Sequence, residues 1–191
     1  MALTEVEFEL TGEQYERMDY PGIKQGHWLP VVLDAGLLMP DYSSPSWFVV
    51  QKDPLPSAFQ QIGRAAYAFT GQIVEADIVQ DEGIETATIW LNCGLVHLRA
   101  TCAPRDDGRL PYGTWETRTL TGVARLQGII EDDFVSPIGR STDMTVWGFR
   151  RLNLVPGDPN FGQWSESEEL LPSPYQQDRI VVTAHIHRTR L

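Results

Sequence analysis

Lysine is scarce in this sequence: the 191 residues contain only Lys24 and Lys52, and thirteen arginines supply the remaining basic charge. The formal net charge is -11. Proteins that bind nucleic-acid backbones nonspecifically carry more basic than acidic residues, because much of their affinity comes from the release of counterions from phosphates. The composition therefore disfavours a general nucleic-acid-binding protein, although eleven of the arginines follow residue 98 and are free to cluster locally.

Cysteine and long apolar runs are also scarce. Cys93 and Cys102 do not make a disulfide framework, so the cytoplasm is the expected compartment. No apolar run approaches the ~20 residues that span a bilayer. The acidic start, MALTEVEFEL, lacks the basic residues and apolar core of a signal peptide. We therefore expect a cytoplasmic protein with no membrane partner.

Signatures of known catalytic sites are missing. The sequence contains no GxSxG, no P-loop, no GxGxxG before a helix, no HExxH and no paired CxxC. Neither cysteine is predicted to be an activated nucleophile, because alternation points Cys102 inward and nothing near Cys93 would activate its thiol. We assign no catalytic residue and no cofactor, and enzyme activity is the minority hypothesis.

Alternating apolar residues dominate the stretch from 67 to 133. Side chains alternate between the two faces of a strand, so residues 85–91 and 95–103 are predicted to form a hairpin with one apolar face. Trp90, His97 and Arg99 fall on the opposite face. Gly71 and Gly122 interrupt long strands, which is typical of the bends in a barrel. The pattern predicts a mainly β protein.

These long, bent strands favour a single antiparallel β-barrel. A curled strand, a hairpin and a long fourth strand over residues 67–133 resemble an OB-fold, which is a Greek-key barrel, and we prefer that form. A calycin-like barrel and a β-sandwich remain alternatives. We expect one domain over residues 1–191, divided into an N-terminal arm packed on the barrel (1–66), the barrel core (67–155), an irregular surface loop (156–178) and a closing strand (179–191).

The OB-fold resemblance implies a ligand-binding face. In that fold the second and third strands carry oligonucleotides or oligosaccharides, and Trp90 beside His97 and Arg99 would suit base stacking. The other interpretation, which the acidic composition favours, is that the N-terminal arm covers this face and Trp90 packs inside it. The further candidates for a binding surface are Arg118, Arg125 and Trp115.

His185 and His187 lie two residues apart in the closing strand, so both rings are expected on one face. Such a pair can bind a divalent metal if a third ligand comes from a neighbouring strand. The candidates for that ligand are His97, Cys93, Glu116 and Asp143. A pair of ordinary surface histidines is the commoner outcome.

The leading functional hypothesis is a non-catalytic module that binds a protein partner through aromatic and arginine side chains. Such side chains are enriched at interface cores. The first alternative is a single-stranded nucleic-acid-binding OB-fold protein, with weak affinity. The second is a small-molecule or metal-dependent barrel enzyme that uses His185 and His187. The pattern is also compatible with a homo-oligomer.

Overall fold

The computed structural model describes residues 4–17, 22–112, 118–130, 140–170 and 179–187. These ranges contain one short helix, α1 (Gly12–Arg17), and no helix in them has the length and apolar content needed to cross a bilayer. The strands are β1 (Thr4–Leu10), β2 (Trp28–Leu38), β3 (Trp47–Gln51), β4 (Ala58–Gly63), β5 (Ala66–Asp81), β6 (Ile84–Asn92), β7 (His97–Cys102), β8 (Thr119–Arg125), β9 (Gln127–Ile130), β10 (Thr142–Leu152), β11 (Trp164–Ser167) and β12 (Arg179–Ile186).

The chain forms two compact units. Unit 1 comprises residues 1–32 and 127–191, and unit 2 comprises residues 33–126. The chain therefore crosses from one unit to the other within β2 and again between β8 and β9.

Five strands of unit 1 close into a barrel in the order β1, β12, β10, β2, β9 and back to β1. The ring is mixed: β1 runs parallel to β9, whereas β12 is antiparallel to both β1 and β10. Val6 and Phe8 of β1 are fully buried, as are Met144 of β10 and Val182 of β12. The prediction of a β-barrel protein is confirmed.

Membership of the ring differs from the expected arrangement. β1 and β2 lie in the segment that we expected to be an arm, yet both are barrel strands. Within the described residues, β9 is the ring strand that comes from the stretch with the OB-like pattern. Alternation shows which side chains of a strand face a core, but it does not show which strands pair. The strand order therefore could not be read from the pattern.

Unit 2 is built on a sheet with the order β2, β7, β6, β5, β8, β3, and β4 pairs with β5. An isolated bridge between Met39 and Trp47 brings β3 back to the end of β2, so the two edges of the sheet meet. The β6–β7 hairpin has the expected register, with Ala87 opposite Cys102 and Asn92 opposite His97. Its apolar face is buried as expected.

One strand has a different phase from the one expected. Simple alternation would place Trp147 and Phe149 on one face of β10 and Val146 on the other. Instead Val146 and Phe149 are both buried, and Trp147 is 55% exposed. The register against β12 shifts between Val146 and Gly148, so a β-bulge inserts an extra residue, Trp147, and the changed phase turns Phe149 back to the buried face of Val146.

Gly128 of β9 tests the packing of the closed ring. A Cβ at this position would overlap the ring of Phe8, which is fully buried. We expect Gly128→Ala to lower the free energy of unfolding by about 1–3 kcal/mol, as overpacking does in well-filled cores. Urea denaturation measures this change.

The matched control is Gly63→Ala in β4. A Cβ there would lie 3.6 Å from the Cβ of Ala66, which is ordinary contact. We expect a change within about 0.5 kcal/mol, as for most surface substitutions. Equal stability of the two variants would contradict the close approach of β9 to Phe8.

Candidate functional site

Trp90, His97 and Arg99 share one face of the β6–β7 hairpin, because Trp90 lies opposite Arg99 and Asn92 opposite His97. Trp90 is only 7% exposed, however. An indole with so little exposed surface has no open face on which a base could stack. Its burial supports the packing interpretation rather than the ligand platform.

Arg99 forms an ion pair with a neighbouring carboxylate. Its Nη1 lies 3.1 Å from Oδ2 of Asp34 in β2. Burial raises the pKa of the Asp34 carboxyl, while the hydrogen bond from the Gly36 N–H (2.6 Å) and the guanidinium of Arg99 act in the opposite direction. The main contact of Arg99 is therefore with a carboxylate that would otherwise be poorly solvated.

The other predicted arginines do not join Arg99. Arg118 donates a hydrogen bond to the carbonyl oxygen of Tyr112 (2.9 Å), and its guanidinium carbon lies 5.7 Å from the centre of that ring. Arg125 ends β8 and is exposed. In the sheet, β6 and β5 separate β7 from β8, so these side chains do not form one basic strip with Arg99. Trp115 lies outside the described residues.

Both cysteines are buried in unit 2 as free thiols. Burial raises the pKa of Cys93 and of Cys102 to about 12. A thiol with such a pKa is almost entirely protonated near neutral pH, so it is a poor nucleophile. Their chemistry agrees with the core role expected for Cys102.

His185 and His187 lie on unit 1 but contact different groups. The ring of His185 lies 5.0 Å from that of Trp147, and its Nε2 lies 3.8 Å from Oε2 of Glu5. Nε2 of His187 is hydrogen-bonded to Oγ1 of Thr145. The imidazole rings of His185 and His187 therefore contact different side chains.

The suggested third ligands do not complete a metal site in the described part of the chain. Cys93 and His97 belong to unit 2, and Glu116 lies outside the described residues. Asp143 meets His187 through the backbone, since its carbonyl oxygen accepts a hydrogen bond from the His187 N–H (3.0 Å). The described residues contain no group of three or more histidine, cysteine or carboxylate side chains placed to hold a metal ion.

A different surface brings many functional side chains together. It is formed by the side chains of β1, β12, β10 and β11 that point away from the barrel interior, with Trp28 at the start of β2. We call it the outer face of unit 1. Its members include Glu5, Glu7, Glu9, Trp28, Thr145, Trp147, Gly148, Arg150, Leu152, Trp164, Glu166, Arg179, Val181, Thr183 and His185.

Arg150 lies at the centre of this outer face. Its Nη1 lies 3.1 Å from Oε1 of Glu7, and its Nε lies 3.0 Å from Oε1 of Glu166. The Glu7 side chain is 8% exposed, whereas that of Glu166 is 76% exposed. An ion pair is worth more to a buried carboxylate than to an exposed one, so the contact with Arg150 stabilises Glu7 more than it stabilises Glu166.

The middle of the outer face is buried. Val181 and Thr183, which alternation places on the outer side of β12, are 0% and 8% exposed. Because β12 lies between β1 and β10, the long side chains of Glu9 and Arg150 flank Val181 on either side. Towards one end, Arg179 is ion-paired with Glu9 and lies 5.9 Å from the ring centre of Trp164.

A cleft of about 500 Å³ opens in this face at the bulge of β10. Gly148 contributes no side chain to it, and Trp147, the extra residue of the bulge, lines it. The complete lining is Glu5, Gln25, Trp147, Gly148, Phe149, Arg150, Glu166, Ser167, Glu168 and Thr183. Three carboxylates face one guanidinium, which already pairs with Glu7 and Glu166, so the cleft is acidic and polar, and Trp147 is the more exposed of its two aromatic residues.

Comparison of the chain with protein-family models, with curated proteins and with solved structures found no match.

The sequence contained one signal for this site that the pattern analysis did not use. Gly148 directly follows Trp147 inside a strand, and a glycine in a strand interior often marks a bulge or a close approach of backbone. The carboxylates of the cleft had no comparable signal, because Glu5, Glu166 and Glu168 come from distant parts of the chain.

Two tryptophan substitutions test the contrast between packing and exposure. Trp90→Ala should lower the free energy of unfolding by about 3–5 kcal/mol, since it empties a buried site. Trp147→Ala should change it by about 1 kcal/mol or less, because most of that side chain is in solvent. Urea denaturation compares them, and a stable Trp90→Ala variant would show that Trp90 is not core.

The ion pairs of Arg150 give a second test. Arg150→Met leaves the buried Glu7 carboxylate without its guanidinium and should cost about 1–3 kcal/mol of stability. Glu166→Gln removes an exposed pair and should cost about 0.5 kcal/mol or less. Adding Glu7→Gln to Arg150→Met should restore part of the loss. No recovery in the double variant would mean that Arg150 acts through packing alone.

Proposed function

We propose that this chain is a non-catalytic, cytoplasmic binding module that holds a protein partner on the outer face of unit 1. The observation that carries the proposal is the exposed Trp147, the extra residue of the β10 bulge, which lies in the wall of an open, acidic cleft. Trp28, also more than half exposed, lies on the same face opposite Thr145. Aromatic and arginine side chains of this kind are the usual anchors of protein interfaces.

The chemistry of the cleft favours a basic segment of the partner. Glu5, Glu166 and Glu168 line it, and Arg150 offers little free positive charge because Glu7 and Glu166 already pair with it. A lysine or arginine side chain of the partner would meet these carboxylates and could lie against the indole of Trp147. The net charge of -11 would also attract such a partner at long range.

The two alternative functions receive less support. Single-stranded nucleic acid would need stacking on Trp90 and phosphate contacts from Arg99, and one is buried while the other faces Asp34. A small-molecule or metal-dependent enzyme would need His185 and His187 to act together, yet the two rings contact Trp147 and Thr145 respectively. The outer face offers an exposed aromatic surface instead.

The test uses a phage-displayed random peptide library selected on the intact protein. We expect the enriched peptides to carry lysine or arginine next to an apolar residue. Synthetic versions should bind the Trp147→Ala variant about tenfold or more weakly than the wild type, as measured by fluorescence anisotropy. Glu168→Gln should weaken binding as well, and added salt should reduce it.

Phe161→Ala is the matched control, because Phe161 is an exposed aromatic of unit 1 outside the outer face. This variant should bind the peptides as the wild type does. Equal binding to the Trp147→Ala variant, or enrichment of acidic peptides, would contradict the proposed site. Tight binding of single-stranded DNA that is lost in Arg99→Ala would favour the nucleic-acid alternative.

A further inference from the structure

The hairpin of β5 and β6 has an end that lies in solvent. β5 pairs with β8 and β4 through its first half, Ala66 to Gln72, and with β6 from Gln72 onward. Every residue from 74 to 84 is exposed. We call residues 74–88 the β5–β6 tip. A two-stranded ribbon in water is marginally stable by itself, so such an exposed tip needs an explanation.

Large apolar side chains lie on this tip. Val79 pairs with Thr86 and Asp81 pairs with Ile84, which places all four side chains on one face. Val79 is 53% exposed and Ile84 is 52% exposed. As diagonal cross-strand neighbours they form a small apolar patch.

The charge of the tip has one sign. Residues 74–88 contain five acidic residues and no lysine or arginine. Asp77 and Asp81 share the face of Val79 and Ile84, since residues two apart in a strand point to the same side. The patch is therefore flanked by carboxylates along β5.

The turn of the tip is held by a neighbouring loop. The N–H of Glu85 donates to the carbonyl oxygen of Gly108 (2.8 Å), and Oε2 of Glu85 accepts a hydrogen bond from the N–H of Leu110 (3.2 Å). These contacts fix the turn to the loop that contains Gly108 and Leu110. A surface that is already ordered loses less conformational entropy on binding.

We propose that the β5–β6 tip docks into a basic surface of a partner protein, one with an apolar hollow that receives Val79 and Ile84 and with lysine or arginine around it. Charge complementarity selects this occupant: five carboxylates attract a basic surface and repel an acidic one. Pairing with the same tip of a second copy would bring like charges together, which opposes self-association. The inference is independent of the proposed function of unit 1.

The experiment uses a short peptide of alternating lysine and valine as the probe, with an alternating glutamate and valine peptide for comparison. The intact chain carrying Trp147→Ala, which weakens the binding of basic peptides to the outer face of unit 1, is titrated with each peptide, and binding is followed by fluorescence anisotropy. We expect the lysine peptide to bind in a salt-dependent way and the glutamate peptide not to bind. Val79→Thr together with Ile84→Thr keeps β-branched residues in the strands and should weaken binding about tenfold.

Three control variants separate the tip from general attraction. Asp77→Asn with Asp81→Asn should weaken binding, whereas Asp41→Asn with Asp53→Asn, an equal change of charge at exposed positions outside the tip, should not. Ile62→Thr, at an exposed position of β4, should also leave binding unchanged. Because every titration is made in the Trp147→Ala background, failure at the tip and failure at the outer face of unit 1 are distinguishable.

Several outcomes would overturn the inference. They are no binding of the lysine peptide, equal binding of both peptides, or equal losses in the tip and control variants. A wild-type dimer in sedimentation that the Val79→Thr, Ile84→Thr variant abolishes would identify a second copy as the occupant instead.

Discussion

The arrangement of unit 1 depends on a change of partner along one strand. β10 pairs with β12 on one side from Met144 to Leu152, while on the other side it pairs first with β2 and then with β11. The pairing with β2 closes the barrel, and the pairing with β11 widens the sheet beyond it. The β-bulge lies between these two partners, where the strand must bend.

The cleft results from this change of pairing partner along β10. Where β10 leaves β2, Val146 pairs instead with the turn before β2: its N–H donates to the carbonyl oxygen of His27 (2.9 Å) and its carbonyl oxygen accepts from the Gly26 N–H (2.9 Å). The Gln25 N–H in turn donates to the carbonyl oxygen of Glu168 (2.6 Å). The space between these segments is left open beside Gly148. Backbone pairing therefore creates the concave surface, and side chains only give it its charge.

The parts of the fold that could be predicted are those set by local alternation. The β6–β7 hairpin and its buried face followed from a period of two, and so did the barrel class. The ring could not be predicted, because β1 and β12 are neighbours although they lie at opposite ends of the chain. Phe149 was wrongly grouped with Trp147, because one inserted residue reverses the alternation beyond it.

The candidate site was less predictable than the fold for a related reason. Alternation correctly grouped Trp90 with Arg99, but it cannot tell an exposed face from one that other parts of the protein cover. Nor could it show that Asp34 would lie beside Arg99, since the two residues are far apart in sequence and come from parallel neighbouring strands. Whether a face is buried depends on the tertiary structure. The polar face of a hairpin can therefore be judged as a candidate site only when it is known whether other parts of the protein cover it.

The use of arginine explains why the outer face is acidic despite the basic residues on it. Arg150 contacts Glu7 and Glu166 through different nitrogens of one guanidinium, and Arg179 contacts both Glu9 and the ring of Trp164. A planar guanidinium can form hydrogen bonds or stacking contacts with two neighbours at the same time, and a lysine ammonium is less suited to this. These arginines pair with the carboxylates of Glu7, Glu9 and Glu166, so much of their charge is matched within the protein. Glu5 and Glu168 pair with neither arginine in the described contacts, and they make the open cleft that they line acidic.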